Sequence, residues 1–253
     1  MALMDEFKEE REAVKHMPLM QRLAYFWQYH KWHTGLVILV IIFLVTYVFP
    51  VLTKPETLIN GVLLNTYDTG VQNPAEKLAS DFMKTQEYDE SKNNVVFNGS
   101  LLYSPTGLSN VSSSNYQIMQ VLLTQSSTGD LNFITGDLDS MLELAYKDFY
   151  TDLSVLLTKE QFTRYEPYML YIDYEVLASI KEANSKQQST EHILFPDCKK
   201  PENMTNPVPV MIDMTQSEEL QKIYQKSHET LCFGAVYTEY QEELLKFIDY
   251  LMQ

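Results

Sequence analysis

His228-Glu229-Thr230-Leu231-Cys232 runs close to H-E-x-x-H, the pattern in which two imidazoles one helical turn apart hold zinc and the glutamate acts as base. Cys232 stands where the second histidine belongs, and Leu231–Tyr237 (LCFGAVY) reads as a strand, so no metal is expected there. Tyr67-Asp68-Thr69-Gly70 contains the Asp-Thr-Gly triplet of aspartic proteases. That chemistry needs two carboxylates sharing one proton, and the triplet occurs once; a turn after a strand uses Asp and Gly on ordinary conformational grounds. Asp137 and Asp139 sit at a strand-to-helix turn, where two carboxylates can face a cation, but the glycine and distal glutamate of an EF-hand are missing. Capping of a helix by Asp137 is the plainer role. His30 and His33 are spaced to share a metal on one helix face, yet with Lys31 and Trp32 between them they read as interfacial anchors. Neither a G-x-S-x-G elbow nor a P-loop occurs. The expectation is a protein that is not an enzyme and carries no cofactor.

Two cysteines, Cys198 and Cys232, leave two alternatives. In an oxidising compartment they can close a loop of about 35 residues, worth ~3 kcal/mol; otherwise they are separate buried thiols. The sequons at Asn98, Asn110 and Asn203 matter only where a cell glycosylates its exterior.

The elements that must position these residues alternate. Ile59–Thr66 reads as a strand, Asn73-Pro74 opens a helix with Ala75, Leu78, Ala79 and Phe82 on one face, and Asn94–Tyr103 reads as a strand. A helix with Ile118, Met119, Leu122 and Leu123 follows. Then come a strand at Leu131–Thr135, a helix from Asp137 bearing Leu138, Met141, Leu142 and Ala145, and a short helix from Thr158 with Glu160 and Gln161 in its first turn. Met169–Ile180 is apolar and aromatic and reads as an extended strand, and residues 181–207 as a long polar loop. Val208–Met214, Ser217–Lys226, Leu231–Tyr237 and Glu239–Met252 then read as strand, helix, strand and closing helix. The alternation predicts an α/β domain with a central mixed sheet.

Ahead of it, Gly35–Leu52 (GLVILVIIFLVTYVFPVL) carries no charge and no polar stripe; eighteen residues at ~1.5 Å each span ~27 Å. The absence of an Ala-x-Ala exit predicts an uncleaved signal anchor in the lipid bilayer. Leu19, Leu23, Phe26, Trp27 and His30 share a helix face just upstream, which predicts an amphipathic juxtamembrane helix. The expected layout is a tail at 1–34, a transmembrane helix at 35–52, a stalk at 53–58 and an extracytoplasmic α/β domain at 59–253. Lys15, Arg22 and Lys31 before the span, against Lys54 alone close behind it, put the N-terminus inside and the domain outside.

Of the chain's 19 basic and 34 acidic residues, 13 and 29 lie beyond residue 54, a net of −16 for that part. So acidic a domain repels nucleic acid and anionic lipid, which excludes both as its partners.

Two stretches carry a resemblance. Within Ser127–Asp173, Gly129-Asp130 leads a strand, Asp137 to Asp139 form an acidic turn, a helix runs to Tyr146, and Asp152-Leu153-Ser154 precedes a short helix. This resembles a segment of the extracellular solute-binding proteins of ABC importers. The end of the chain, LCFGAVYTEYQEELLKFIDYLM, resembles their closing strand and helix. The resemblance implies a solute-binding-like α/β lobe. It departs from the family in lacking a lipidated cysteine near the membrane, and residues 59–253 are too few for two full lobes. YFWQYHKWH with its apolar span, and PDCKKPENMTNPVPVMIDM, resemble membrane proteins of Gram-positive gut anaerobes, which implies a cell-surface protein of the Firmicutes.

The functional expectation is a tethered binding module for a small solute or a peptide. Ligands of open α/β sheets sit at the carboxyl ends of the strands. That rule selects Tyr67, Asp68, Tyr103, Ser104, Asp137 and Asp139 as candidate contacts. The alternative is a structural or interaction subunit of an envelope or transport complex.

Overall fold

The structure, a computed structural model, describes residues 18–66, 73–107, 113–190, 193–224, 230–236 and 240–253, without the side chains at 22, 23, 25, 26, 28–31, 52, 113 and 114. The chain divides after Lys54 into two units.

In the first unit, α1 (Leu19–Phe43) starts behind Pro18, widens into a π turn (Leu44–Val48) and continues as α2 (Phe49–Thr53). Pro50 explains the widening. It has no N–H to give, and its ring crowds the carbonyl one turn back. The π turn resets the pairing, so that the Phe49 N–H reaches the Leu44 carbonyl five residues earlier. Trp32–Val51 gives 20 residues of mean hydropathy 2.6, none buried against other protein. One helix among the described residues is thus long and apolar enough to cross a membrane. The residues expected to form the juxtamembrane helix lead into the span without a break, as one helix runs through residues 34 and 35.

The second unit holds β1 (Glu56–Leu63), α3 (Pro74–Thr85), β2 (Asn93–Asn98), α4 (Ser113–Ser127), β3 (Phe133–Asp137), α5 (Leu138–Ala145), α6 (Leu153–Leu156) and α7 (Lys159–Tyr165). These are followed by β4 (Met169–Asp173), α8 (Tyr174–Ser185), β5 (Pro207–Asp213), α9 (Glu218–Tyr224), β6 (Leu231–Ala235) and α10 (Gln241–Leu251). The strands form one mixed sheet in the order β2-β1-β3-β6-β5-β4. β1 runs parallel to β2 and β3, whereas β6 is antiparallel to both β3 and β5.

Side chains alternate across the sheet, and both faces are covered. On one face Ile59, Leu63, Phe97, Phe133, Ile212 and Phe233 pack under α3, α9 and α10. On the other, Val62, Leu64, Ile134, Leu170, Met211 and Cys232 pack under α4, α5 and α8. Phe133 lies across Gly61, its ring stacked on Phe233 at 5.2 Å between centroids. A Cβ at Gly61 would meet that ring at 2.0 Å, so the aromatic layer requires glycine there.

Three expectations are corrected. β1 begins at Glu56 and Thr53 is helical, which reduces the stalk 53–58 to Lys54 and Pro55. Met169–Ile180 is a strand and then a helix: Asp173 caps α8 by accepting the Glu175 N–H at 3.0 Å, and Leu177, Ile180 and Ala183 form a buried helical stripe. Residues 181–207 begin as the end of α8 and are pinned further on, because Asp173 also accepts the N–H groups of Thr205 (2.7 Å) and Asn206 (3.0 Å).

The two edges of the sheet differ. At β4 the Tyr171 N–H donates to the Cys198 carbonyl at 2.9 Å, so the chain covers its own edge. Among the described residues no strand pairs with the outer side of β2, where only the Asn93 N–H is met, by the Asp89 carbonyl at 2.8 Å.

Candidate functional site

β1 connects to β2 through α3 on one face, and β2 returns past β1 to β3 through α4 on the other. Strand order therefore reverses between β1 and β3. In open α/β sheets the crevice for a ligand lies outside the carboxyl ends of the strands at such a reversal.

Asn65 stands there, two residues past β1, in the left-handed region at φ 59°. Asparagine tolerates that conformation better than most residues. Its N–H donates to the Leu101 carbonyl at 2.9 Å, and its Oδ1 accepts the Tyr103 N–H at 2.7 Å. Its Nδ2 donates to Asp137 Oδ2 at 2.7 Å. Asp137 in turn caps α5, accepting the Ser140 N–H through Oδ1 and the Ser140 hydroxyl through Oδ2, both at 2.9 Å. One asparagine thus ties the end of β1 to the loop after β2 and to the β3–α5 corner.

A second, deeper group adjoins it. Glu143 of α5 is 2 % exposed. Its Oε1 accepts the Tyr103 hydroxyl at 2.5 Å and the Lys147 ammonium at 2.6 Å. Its Oε2 accepts the N–H groups of Thr106 (2.9 Å) and Gly107 (3.0 Å). Lys147 Nζ also donates to the Tyr103 hydroxyl at 2.9 Å and lies 5.6 Å from that ring's centroid. Burial, and then the adjacent Glu143, push the Tyr103 hydroxyl far above its usual range. It is a proton donor in this network and not a base. The main chain of Ser104 is held from the other side by the buried Asn115, whose Nδ2 donates to the Ser104 carbonyl at 2.5 Å.

Of the six candidate contacts, Tyr103, Ser104, Asp137 and Asp139 come together at this corner. Tyr103 and Asp137 build its floor, whereas Ser104 and Asp139 are exposed at its rim. Tyr67 and Asp68 lie outside the described residues, as do His192 and His228. Asn65, Asn115, Ser140, Glu143 and Lys147 escaped the sequence reading. Only Glu143 and Lys147 carried a signal, an i,i+4 ion pair on an otherwise apolar stretch.

Cys198 and Cys232 are free, buried thiols, which is the second of the two alternatives raised for them. Burial pushes both upward and makes them unreactive. Beside Cys232 in the sheet register lies Asp213. Burial opposes ionisation of Asp213, but bonds from Thr215 and from Lys199 at 2.9 Å outweigh it and hold the carboxyl below its usual range. Among the described residues no three His, Cys, Asp or Glu side chains gather as a metal site.

Comparison of the chain with family models, with curated proteins and with solved structures finds no match.

Proposed function

We propose that the chain is a membrane-tethered, non-enzymatic binding module that holds a small polar solute or a peptide at the carboxyl ends of β1 and β3. The observation that carries this reading is the hydrogen-bonded floor at the strand-order reversal. Asn65, Tyr103, Asp137 and Glu143 fix three chain segments there, with Ser104 and Asp139 exposed above them. A floor already ordered in the free protein lowers the entropy lost when a ligand binds. The N-terminal helix serves as the tether, with the acidic unit outside the cell as the basic residues before the span direct. The resemblance to solute-binding proteins points the same way.

The test is a thermal-shift screen of the full chain in detergent against sugars, amino acids, short peptides and divalent cations. A ligand at 100 times its Kd adds ~2.7 kcal/mol, a rise of about 5 to 10 °C for a unit of this size. Asp139→Asn should weaken any hit. No shift across the panel overturns the reading in favour of an envelope or transport-complex subunit with no small ligand. That second reading has its own support in the exposed apolar side chains Tyr116, Val121 and Leu123 on α4.

A further inference from the structure

β2 departs from the way proteins usually protect an outer strand. Exposed edges are commonly blunted by a charged residue, a proline, or chain laid over them. β4 follows that practice, with the chain at Cys198 covering its Tyr171 N–H. β2 reads Asn-Asn-Val-Val-Phe-Asn, with no charge and no proline, and the irregularity in its pairing falls on β1 between Thr57 and Ile59. On the side away from β1 the Asn93 N–H donates to the Asp89 carbonyl at 2.8 Å, and the N–H and C=O groups of Val95 and Phe97 have no partner among the described residues.

The edge also borders a groove. About 480 Å³ of space runs along it, walled by α3 through Glu76, Ser80 and Met83 and closed by Glu90 and the strand itself. Val96 is 40 % exposed beside it, although valine in a strand normally finds a neighbour. No lysine or arginine lines the groove, and neither Glu76 nor Glu90 is in an ion pair among the described residues.

We propose that β2 is a docking edge, onto which another protein adds an extended, basic segment of about six residues as a seventh strand. Main-chain hydrogen bonds along β2 supply the register. Alternate side chains of the incoming strand reach the groove beside Met83, the others lie next to Val96 on the opposite face of the sheet, and its lysines or arginines meet Glu76 and Glu90. Charge decides against a second copy of this chain as the occupant. Pairing β2 with β2 would bring four unpaired carboxylates together between units that each carry a net of −16. This edge is separate from the hydrogen-bonded corner at β1 and β3, so the failure of either proposal leaves the other standing.

The experiment is hydrogen–deuterium exchange of the full chain in detergent, read at the β2 amides. The probe is a blocked octapeptide KVTVKVTK, with EVTVEVTE as its acidic counterpart. The expected result is exchange at Val95–Asn98 slowed about tenfold or more by the basic peptide and unchanged by the acidic one. A Glu76→Gln/Glu90→Gln chain, altered only at exposed positions, should bind the basic peptide about fivefold more weakly. Unchanged β2 exchange at millimolar basic peptide overturns the proposal, as does equal protection by both peptides. Protection that rises with protein concentration in the absence of peptide, together with dimer mass in sedimentation, also overturns it and makes β2 a self-pairing edge.

Discussion

Replacing Glu143 tests whether the corner at β1 and β3 is held by one buried carboxylate. The Glu143→Ala chain leaves the Lys147 ammonium, 16 % exposed, without its anion. It also strands the Tyr103 hydroxyl and the N–H groups of Thr106 and Gly107. Breaking a buried pair from one side costs about 3 to 5 kcal/mol. The two main-chain N–H groups belong to partly exposed residues that water can reach, so we expect ~4 kcal/mol and not more. At a urea m-value of ~2 kcal/mol/M this moves the unfolding midpoint down by ~2 M. Glu143→Gln keeps one acceptor oxygen and should cost about half as much. Lys147→Met removes the stranded cation, so the double variant Glu143→Ala/Lys147→Met should be more stable than the sum of the single losses by about 1 to 2 kcal/mol. Urea unfolding of the full chain in detergent, followed by tyrosine fluorescence, measures all four variants. A loss below ~1 kcal/mol for Glu143→Ala, or a double variant equal to the sum of its parts, would refute the claim that Glu143 anchors this corner.

Asp173 provides a pH dependence. Burial opposes its ionisation, but the N–H groups of Thr205, Glu175 and Asn206 win and hold the carboxyl below its ordinary value. Its contribution to stability is therefore complete above the unfolded value near ~4 and disappears as pH falls through the lower, folded value. Asp173→Asn should cost about 2 kcal/mol at pH 6 and progressively less below pH ~4; a difference that stays constant across that range, measured by urea unfolding, counts against the assignment. Gly61→Ala forces the Phe133 ring off β1 and should lower stability by at least ~2 kcal/mol, read as a fall in Tm. Cys198 and Cys232 should resist a thiol reagent at neutral pH in the folded chain and both react in urea. Fast labelling of either in the folded chain contradicts their burial.

What was legible in the sequence was local. Asn73-Pro74 and the Thr158–Gln161 capping box mark helix starts because the caps act within three residues, and the structure has both. The alternation of strands and helices likewise predicted a mixed α/β sheet. α8 was misread because Tyr171, Ile172, Tyr174 and Val176 have the composition of a strand, which outweighed the Asp173 cap and the threefold spacing of Leu177, Ile180 and Ala183. The site was half legible. Strand ends pointed to Tyr103 and Asp137, but Asn65 and Asp137 stand 72 residues apart, and their bond exists only because β1 lies beside β3. Lateral strand order is a tertiary choice that no local pattern encodes, and for the same reason the bare edge of β2 could not be foreseen.

β6 is the last strand among the described residues, yet it occupies an inner position of the sheet, between β3 and β5. A nascent chain that has emerged only as far as α9 holds two half-sheets, β2-β1-β3 and β5-β4, each ending in an apolar strand with no neighbour. Phe133 waits roughly a hundred residues of synthesis for Ala235, its partner across the β3–β6 pair. Such long-range closure slows folding and keeps sticky edges open in the meantime. A ribosome that stalls before residue 230, or a protease that trims β6, releases a species in which β3 and β5 each have one side open. Cellular quality control would meet this unit as an unfinished sheet until β6 and α10 arrive.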